Sequence, residues 1–406
     1  MTFYDYAKAI ISERLKSRDT LKKVVENIKI ASAEGGVAFY PCGVHTRAII
    51  REILTQAPEI SSRIIGCFDK SDEANMGWGI DVYNIKSLDK FKDRISLLVV
   101  ASNTFYDREL RDIKQLTNYG GPILQTTHFD IIPEDIETEE IISKIEEVYH
   151  LLADEKSKIT YLITWLSKML NDESLTYLFE SEQEIDISET NIKYRNYVLE
   201  GLDNTCKKEL LSELYKMKFV SPEEGNIVFD IGAYKGDTAA FFAAHVGKKG
   251  RVYSFEPVKS NYDCLVENIR KNNIDDIVIP VRKGCCDKSG VLKLVSAKSG
   301  APWSFLSEDE EGEEVEVTSL DEFVETNNIS KLDFIKIDVE GQEYNVILGA
   351  QETIKRFTPK VAIPLYHNTS DLFTVPLLMN KIGKYKLYIR CKIEGPFGIN
   401  LYGIRK

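Results

Sequence analysis

Val228-Phe229-Asp230-Ile231-Gly232-Ala233-Tyr234-Lys235-Gly236-Asp237-Thr238 is the stretch whose reading decides the fold. A short apolar run of buried-strand character ends in an acid, and Gly232 and Gly236 then mark a tight turn that opens a helix. Small residues at such a turn let the backbone approach a ligand at a helix N-terminus. The next strand, RVYSFEP, ends in Glu256. In doubly wound sheets the acid closing the second strand accepts hydrogen bonds from ribose hydroxyls, at the carboxyl edge where such folds bind ligands.

Outward from this point, IVIPVRKG, VLKLVS, KLDFIKID, KVAIPLY, YKLYIR and INLYGIRK alternate with helical patterns. The fold class expected over residues 221–406 is α/β: a doubly wound sheet closed by a terminal antiparallel hairpin. Upstream, GGVAFYP (35–41), RIIGCFD (63–69), SLLVVAS (96–102) and GPILQTT (121–127) also alternate with helices. They predict a smaller Rossmann-like lobe within 1–133, preceded by amphipathic helices. Residues 134–220 are charged, with a 3.6-residue period over EDIETEEIISKIEEVYHLLADEKSKITYLITWLSKML, and predict a helical bridge.

The 406 residues suit two or three domains, and 43% hydrophobic with 29% charged residues is the balance of a soluble chain with real cores. Lys and Arg number 52 against 64 Asp and Glu, a net charge of −12, which does not favour a nucleic-acid partner. Seven scattered cysteines without metal-ligand spacing support neither a zinc site nor a disulfide framework. The N-terminal stretch lacks a signal peptide's uninterrupted apolar segment. The longest apolar run, Ile95 to Ala101, is far short of the roughly 20 residues that span a bilayer. A cytoplasmic location with no membrane span is therefore expected.

The glycine turn narrows the cofactor. The third glycine of a dinucleotide fingerprint is missing, and no GK[ST] follows for a P-loop. D-x-G-x-x-x-G-x-T with a distal Glu suits a cofactor with an amino-acid tail and no pyrophosphate, namely S-adenosylmethionine. Together, DIGAYKGDT, SFEP, TSLDEFV and LDFIKIDVEGQEYNVILGA resemble the FkbM family of S-adenosylmethionine-dependent methyltransferases, over about Gly225 to Lys406. The ending IPLYHNTSDLFTVPLLM, YKLYIR and NLYGI resembles a bacterial subgroup with an extra N-terminal lobe. The resemblance implies a class I sheet and O-methylation, often of sugar hydroxyls on glycans, polysaccharides or secondary metabolites. It implies that Asp230, Gly232, Ala233, Tyr234 and Gly236 hold the methionine portion. Asp237 and Thr238 would cap the helix or contact the cofactor, Glu256 would hold the ribose, and Gly284 to Asp287, with Cys285-Cys286 between them, would meet the adenine.

KIDVEG places Asp338 at a strand end, with Glu340 and Glu343 just beyond. Methyl transfer needs in-line approach of the acceptor oxygen, and a sugar hydroxyl is a poor nucleophile at neutral pH. His367, after the following strand, is the candidate base, as a neutral imidazole. Asp338 would orient it, bind the acceptor or ligate a divalent ion through hard oxygens. The alternative for Asp338 and Glu340 is hydrogen bonding at a helix N-terminus, and for His367 stabilisation of its loop. A divalent metal is compatible with these residues, but no ligand set is assigned. EDEEGEEVE (308–316) reads as a solvated mobile loop, with Trp303 and Phe305 before it as a platform for a sugar face.

In the N-terminal lobe, Tyr40-Pro41-Cys42-Gly43-Val44-His45-Thr46 and the strand-ending Asp69 resemble a nucleotide-binding unit with only one turn glycine. The lobe is somewhat similar to the small lobe of bacterial sugar acyltransferases, which holds a nucleotide-sugar. Amides after Gly43, with His45 and Thr46, would take a phosphate, and Ser102, Asn103 and Thr104 would face the same crevice. Packing or subunit contacts are the other reading, and no catalytic residue is assigned there. The function expected is a methyltransferase of a hydroxyl on a sugar, glycan or nucleotide-sugar. The alternatives are a non-catalytic nucleotide-sugar-binding or assembly protein, and a methyltransferase of a non-sugar metabolite. Oligomeric state is left open.

Overall fold

Runs of β-branched and aromatic residues bounded by turns form the strands, and the charged amphipathic runs between them form the helices. The computed structural model describes residues 2–16, 21–32, 35–42, 44–70, 79–101, 106–126, 138–170, 175, 192–296, 304–307, 313–393 and 398–406. The chain divides into two compact units, Met1–Ile141 with Trp165–Glu173, and Ile142–Thr164 with Ser174–Lys406. The segment 134–220, read from sequence as a helical bridge, is thus shared between the units. It contains an antiparallel hairpin besides the helices Thr138–Leu151, Glu155–Leu170 and Asn204–Leu211.

The first unit is built on β1 (Gly36–Tyr40), β2 (Ile64–Asp69), β3 (Val82–Asn84), β4 (Ile95–Val100) and β5 (Ile123–Gln125). All pair in parallel, in the order β3-β2-β1-β4-β5. Val37, Phe39, Leu97 and Val99 pack on Val24, Ile28, Ile49 and Ile53, while Ala38, Tyr40, Leu98 and Val100 pack on Leu88 and Ile113. Both faces are covered, which is why these strands read as continuous apolar runs. The short strand β3 is only half-buried and has no such run to announce it.

The second unit holds the hairpin β6 (Ile192–Tyr194) and β7 (Tyr197–Leu199), and then β8 (Ile227–Ile231), β9 (Arg251–Phe255) and β10 (Val278–Val281). A side sheet follows: β11 (Gly284–Cys285), β12 (Gly290–Ser296), β13 (Ser304–Ser307) and β14 (Glu313–Thr318). The chain continues with β15 (Phe334–Ile337), β16 (Lys360–Pro364), β17 (Tyr385–Cys391) and β18 (Ile399–Arg405). The main sheet runs β10-β9-β8-β15-β16-β18-β17, parallel up to β16 and antiparallel beyond it. This is the α/β doubly wound class with the closing hairpin.

The motif TSLDEFV acts in the core. Ser319 caps the helix Leu320–Thr326 by accepting from the Glu322 amide at 3.2 Å. Its Phe323 then packs against Phe229 and Phe255, with ring centroids 5.7 and 4.8 Å away. The acidic run departs from expectation, because its second half is β14, paired with β12. Glu-Val-Glu-Val has the two-residue period of a half-buried strand: Val315 and Val317 are buried while Glu314 and Glu316 face solvent. Along the outer strand β17, Arg390 donates from Nη2 to Asp154 Oδ2 at 2.6 Å and from Nη1 to Ser157 Oγ at 2.7 Å. The Asp154 turn thereby covers part of an edge that would otherwise be open to pairing.

One charged pair sits inside the main sheet. Asp230 and Lys336 are register partners on β8 and β15. They are 0% and 1% exposed, with Nζ 3.5 Å from Oδ1. Asp230 also accepts from Thr238 Oγ1 at 2.9 Å and Ser254 Oγ at 3.2 Å. Lys336 donates to the Ile231 carbonyl at 3.2 Å and to the Gly232 carbonyl. Burial works against the ammonium, but Asp230, Asp338, Asp237 and Glu209 outweigh it and raise its pKa. Breaking a buried pair from one side costs about 3–5 kcal/mol, whereas replacing both partners costs far less. Lys336→Met is therefore expected to lower the urea midpoint sharply, and Asp230→Asn/Lys336→Met to recover much of the loss.

Candidate active site

The glycine turn is stitched to the strand beside it. The amides of Gly232 and Ala233 donate to the Phe255 carbonyl at 3.0 and 2.9 Å. Tyr234, at φ +46°, donates its amide to Glu256 Oε2 at 3.0 Å, and Val258 donates to Oε1 at 2.9 Å. Glu256 is thus held at the sheet's carboxyl edge, and burial pushes its carboxyl up to about 7. Oε1 also accepts from Asn261 Nδ2 at 3.5 Å, so Oε2 is the oxygen that keeps a further lone pair for a hydroxyl donor. Asp237 opens the helix Asp237–Val246 and is 3% exposed, and its Oδ1 has no hydrogen-bond partner. Burial raises this carboxyl to about 7 as well. Thr238 is spent on Asp230. Cys285 and Cys286 are buried beside β14, and Asp287, 38% exposed, is the reachable residue of that turn.

The three candidate catalytic residues lie together beyond β15 and β16. Asp338 Oδ2 accepts from the Tyr215 hydroxyl at 2.5 Å. The chain then bends through Glu340 and Gly341, at φ +54° and +96°. The amides of Val339 and Gly341 donate to Glu343 Oε1 at 2.9 and 3.4 Å. Asn368 Nδ2 donates to the Gly341 carbonyl at 3.1 Å. His367 Nε2 is 3.7 Å from Asp338 Oδ1 and 3.4 Å from Glu340 Oε2, and Nδ1 is 2.9 Å from Glu343 Oε1. The last contact is short but lies off the hydrogen-bonding direction, so it is an ion pair rather than a directional bond.

This surrounding changes the histidine. Burial alone would lower its pKa, but Glu343, Glu340 and Asp338 raise it to about 10. The neutral imidazole expected from sequence is therefore replaced by a cation, which cannot act as a base at neutral pH. Burial raises the Glu340 carboxyl to about 7, with Asp338 and Glu343 adding to the shift and the His367 cation opposing it. Glu340 is thus the group with base-like poise.

The main sheet and the glycine turn are accompanied by direct similarity. Residues 230–383 match the model of a family described as the methyltransferase FkbM domain. They are a methyltransferase FkbM domain. Hexuronic acid methyltransferase AglP of Haloferax volcanii is 27% identical over 143 residues, 35% of this chain, which spans 57% of that relative's length. The crystal structure of methyltransferase FkbM from Methylobacillus flagellatus KT shares the fold, with a TM-score of 0.54 and 16% identity over 99% of this chain and 98% of that one.

Three side chains at this carboxyl edge escaped the sequence reading. Lys336 was the legible one, a lysine inside the apolar strand DFIKID. Glu209, on the helix Asn204–Leu211, is buried, and one of its carboxylate oxygens lies within 4.8 Å of ligand-type atoms of Cys206 and Asp237. In KKELLSEL it looks like any solvated helix glutamate. Tyr215 carries no signal at all. In the other unit, Asp69 Oδ2 accepts from the Cys42 amide at 2.9 Å and the Thr46 hydroxyl donates to the Pro41 carbonyl. Both close the turn after β1, so Thr46 is not left facing a phosphate. Gly43, Ser102, Asn103, Thr104 and Trp303 lie outside the described residues, as do the side chains of His45 and Phe305.

Two outcomes are expected. Gly232 has φ +79°, and a Cβ there would lie 1.8 Å from the Asp338 carbonyl oxygen. The space a side chain would need is filled by backbone, so Gly232→Ala should destabilise the folded domain by several kcal/mol, about 2 or more, and a thermal melt without ligand should reveal it. In the ligand-free protein the His367 imidazole should stay protonated from pH 6 to 8 and lose its proton only toward pH 10. Its ring-proton NMR shift, followed against pH, checks the sign.

Proposed function

We propose that the chain transfers a methyl group from S-adenosylmethionine to a hydroxyl of a sugar. The observation that carries this is the charge at the carboxyl edge of β8 and β15. Among the described residues, Asp230, Glu209, Asp237, Asp338, Glu340 and Glu343 gather there around two cations, Lys336 and His367. Burial, with the neighbouring Asp338 and Asp237, raises the Glu209 carboxyl well above its ordinary range, a penalty that a bound cation would relieve. Asp230 is spent on Lys336 and Glu343 on His367, so the others favour a cationic ligand. The unpartnered Oδ1 of Asp237 fits an ammonium group of the kind an amino-acid tail carries.

In this reading Glu256 accepts from the ribose hydroxyls, Glu209 and Asp237 hold the ammonium, and the turn at 232–236 lies along the methionine portion, with Asp287 toward the adenine. The donor supplies an electrophilic methyl group on a sulfonium. Glu340 takes the acceptor hydroxyl's proton as the oxygen forms its bond to carbon. The His367 cation, pinned by Glu343, keeps Glu340 in place and favours its ionised form. A sugar acceptor is supported by the Haloferax relative, whose name specifies a hexuronic acid.

Removing a charge-assisted contact costs about 1.5–3 kcal/mol, roughly ten- to a hundredfold in affinity. Glu256→Ala and Asp237→Asn should each weaken S-adenosylmethionine binding by that much in calorimetry, and unchanged affinity in both would remove this crevice as the donor site. Affinity should also rise between pH 6 and 8, because Glu256 and Asp237 ionise near 7 and the ionised forms attract a cation. Incubation with methyl-labelled donor and a panel of neutral and uronic-acid glycans tests the acceptor. Label on sugar oxygen is expected, and label on no glycan of the panel would overturn the sugar assignment.

A further inference from the structure

Asp338, Glu343 and His367 come from three separate elements: the end of β15, the helix Glu343–Leu348 and the segment after β16. Each offers one ligand-type atom within 4.8 Å of those of the other two. Glu343 is fully buried, yet its Oε2 has no hydrogen-bond partner, and neither ring nitrogen of His367 has one either. Leaving such groups buried and unmade costs free energy. The surrounding hydrogen bonds nonetheless fix them in place instead of satisfying them. The amides of Val339 and Gly341 occupy Glu343 Oε1, leaving Oε2 open. The Tyr215 hydroxyl occupies Asp338 Oδ2, leaving Oδ1 toward His367 Nε2.

We propose that Asp338, Glu343 and His367 bind one divalent metal ion. The donor set is one imidazole nitrogen, which must release its proton to solvent as the ion takes its place, and two carboxylate oxygens, a mixture that suits Mn²⁺, Fe²⁺ or Zn²⁺ and fills only part of their coordination sphere. Hydrogen bonds from Tyr215 and the Val339 amide hold the carboxylates as outer partners do at metal centres. Six acidic groups against two cations make the same corner electrostatically receptive. If the methyltransferase reading holds, the open positions face the acceptor. A hydroxyl bound there becomes more acidic and gives its proton to Glu340. The oxygen-to-methyl bond then forms as the methyl-to-sulfur bond breaks, leaving a neutral thioether.

The test is titration of the chelator-treated full chain with Mn²⁺, followed by loss of the free-ion electron paramagnetic resonance signal. One ion per chain is expected to bind in the micromolar range, and His367→Gln and Asp338→Asn should each weaken it by roughly tenfold or more. Glu343→Gln is avoided because Glu343 anchors the loop at 339–341, and a thermal melt checks that the other two variants fold. An undiminished free-ion signal with the unaltered chain would overturn the site, as would variants that fold and bind Mn²⁺ equally well. Calorimetry with S-adenosylhomocysteine in the presence of chelator separates the two readings. Donor binding without any Mn²⁺ binding sinks the metal alone, while Mn²⁺ binding without donor binding sinks the methyltransferase reading and leaves the metal.

Discussion

Everything at the carboxyl edge of the main sheet hangs on the ammonium of Lys336. It lies between β8 and β15, balances Asp230, ties down the carbonyls that begin the glycine turn, and stands 3.9 Å from Asp338 Oδ2. A charge this deep is tolerated only when paired and fully hydrogen-bonded. The pairing therefore couples the two strand ends: Asp230 cannot turn without releasing Thr238 and Ser254, and Lys336 cannot leave without freeing the turn. The rest of the edge inherits its position from that lock. Asp338 comes two residues after Lys336, and its carbonyl occupies the space that Gly232 leaves empty.

On this frame the acids divide by what restrains them. Asp230 and Glu343 are buried, each beside a cation. Glu256 is stitched to two amides, while Asp237 and Glu209 are buried without a comparable cation of their own. Glu340 sits on a left-handed bend of the backbone, a conformation that costs a non-glycine residue about 1–3 kcal/mol. The loop that imposes this bend is held at both ends, by Glu343 on the amides and by Asn368 on the Gly341 carbonyl. Strain of that kind persists only where surrounding contacts outweigh it, and here they belong to the same cluster.

Much of this was legible in the chain itself. Period, turn glycines and strand-ending acids were enough for the doubly wound sheet, and the spacing of DIGAYKGDT, SFEP and KIDVEG places Asp230, Glu256 and Asp338 at one edge. What could not be read was set by distance in space. The protonation of His367 depends on Glu343, brought near by the bend at Glu340 and Gly341, and no local pattern encodes that proximity. Glu209 belongs to a helix whose charged neighbours disguise its burial. The acidic strand β14 was hidden by composition, although its Glu-Val alternation carried the correct period. Lys336 was visible as a lone lysine in an apolar strand, a rule broken locally and compensated across the sheet.

The position of β18 has a consequence for biosynthesis. Residues 399–405 insert between β16 and β17, so until the ribosome has delivered β18 the outer side of β16 is unpaired and β17 is not joined to the sheet. While the polypeptide emerges, two unsatisfied backbone ladders stand open, and such margins are where nascent chains stick to one another. The main sheet is thus completed only after translation has passed DIGAYKGDT, SFEP and KIDVEG. Truncations upstream of Ile399 would leave a template for aggregation rather than a smaller folded unit.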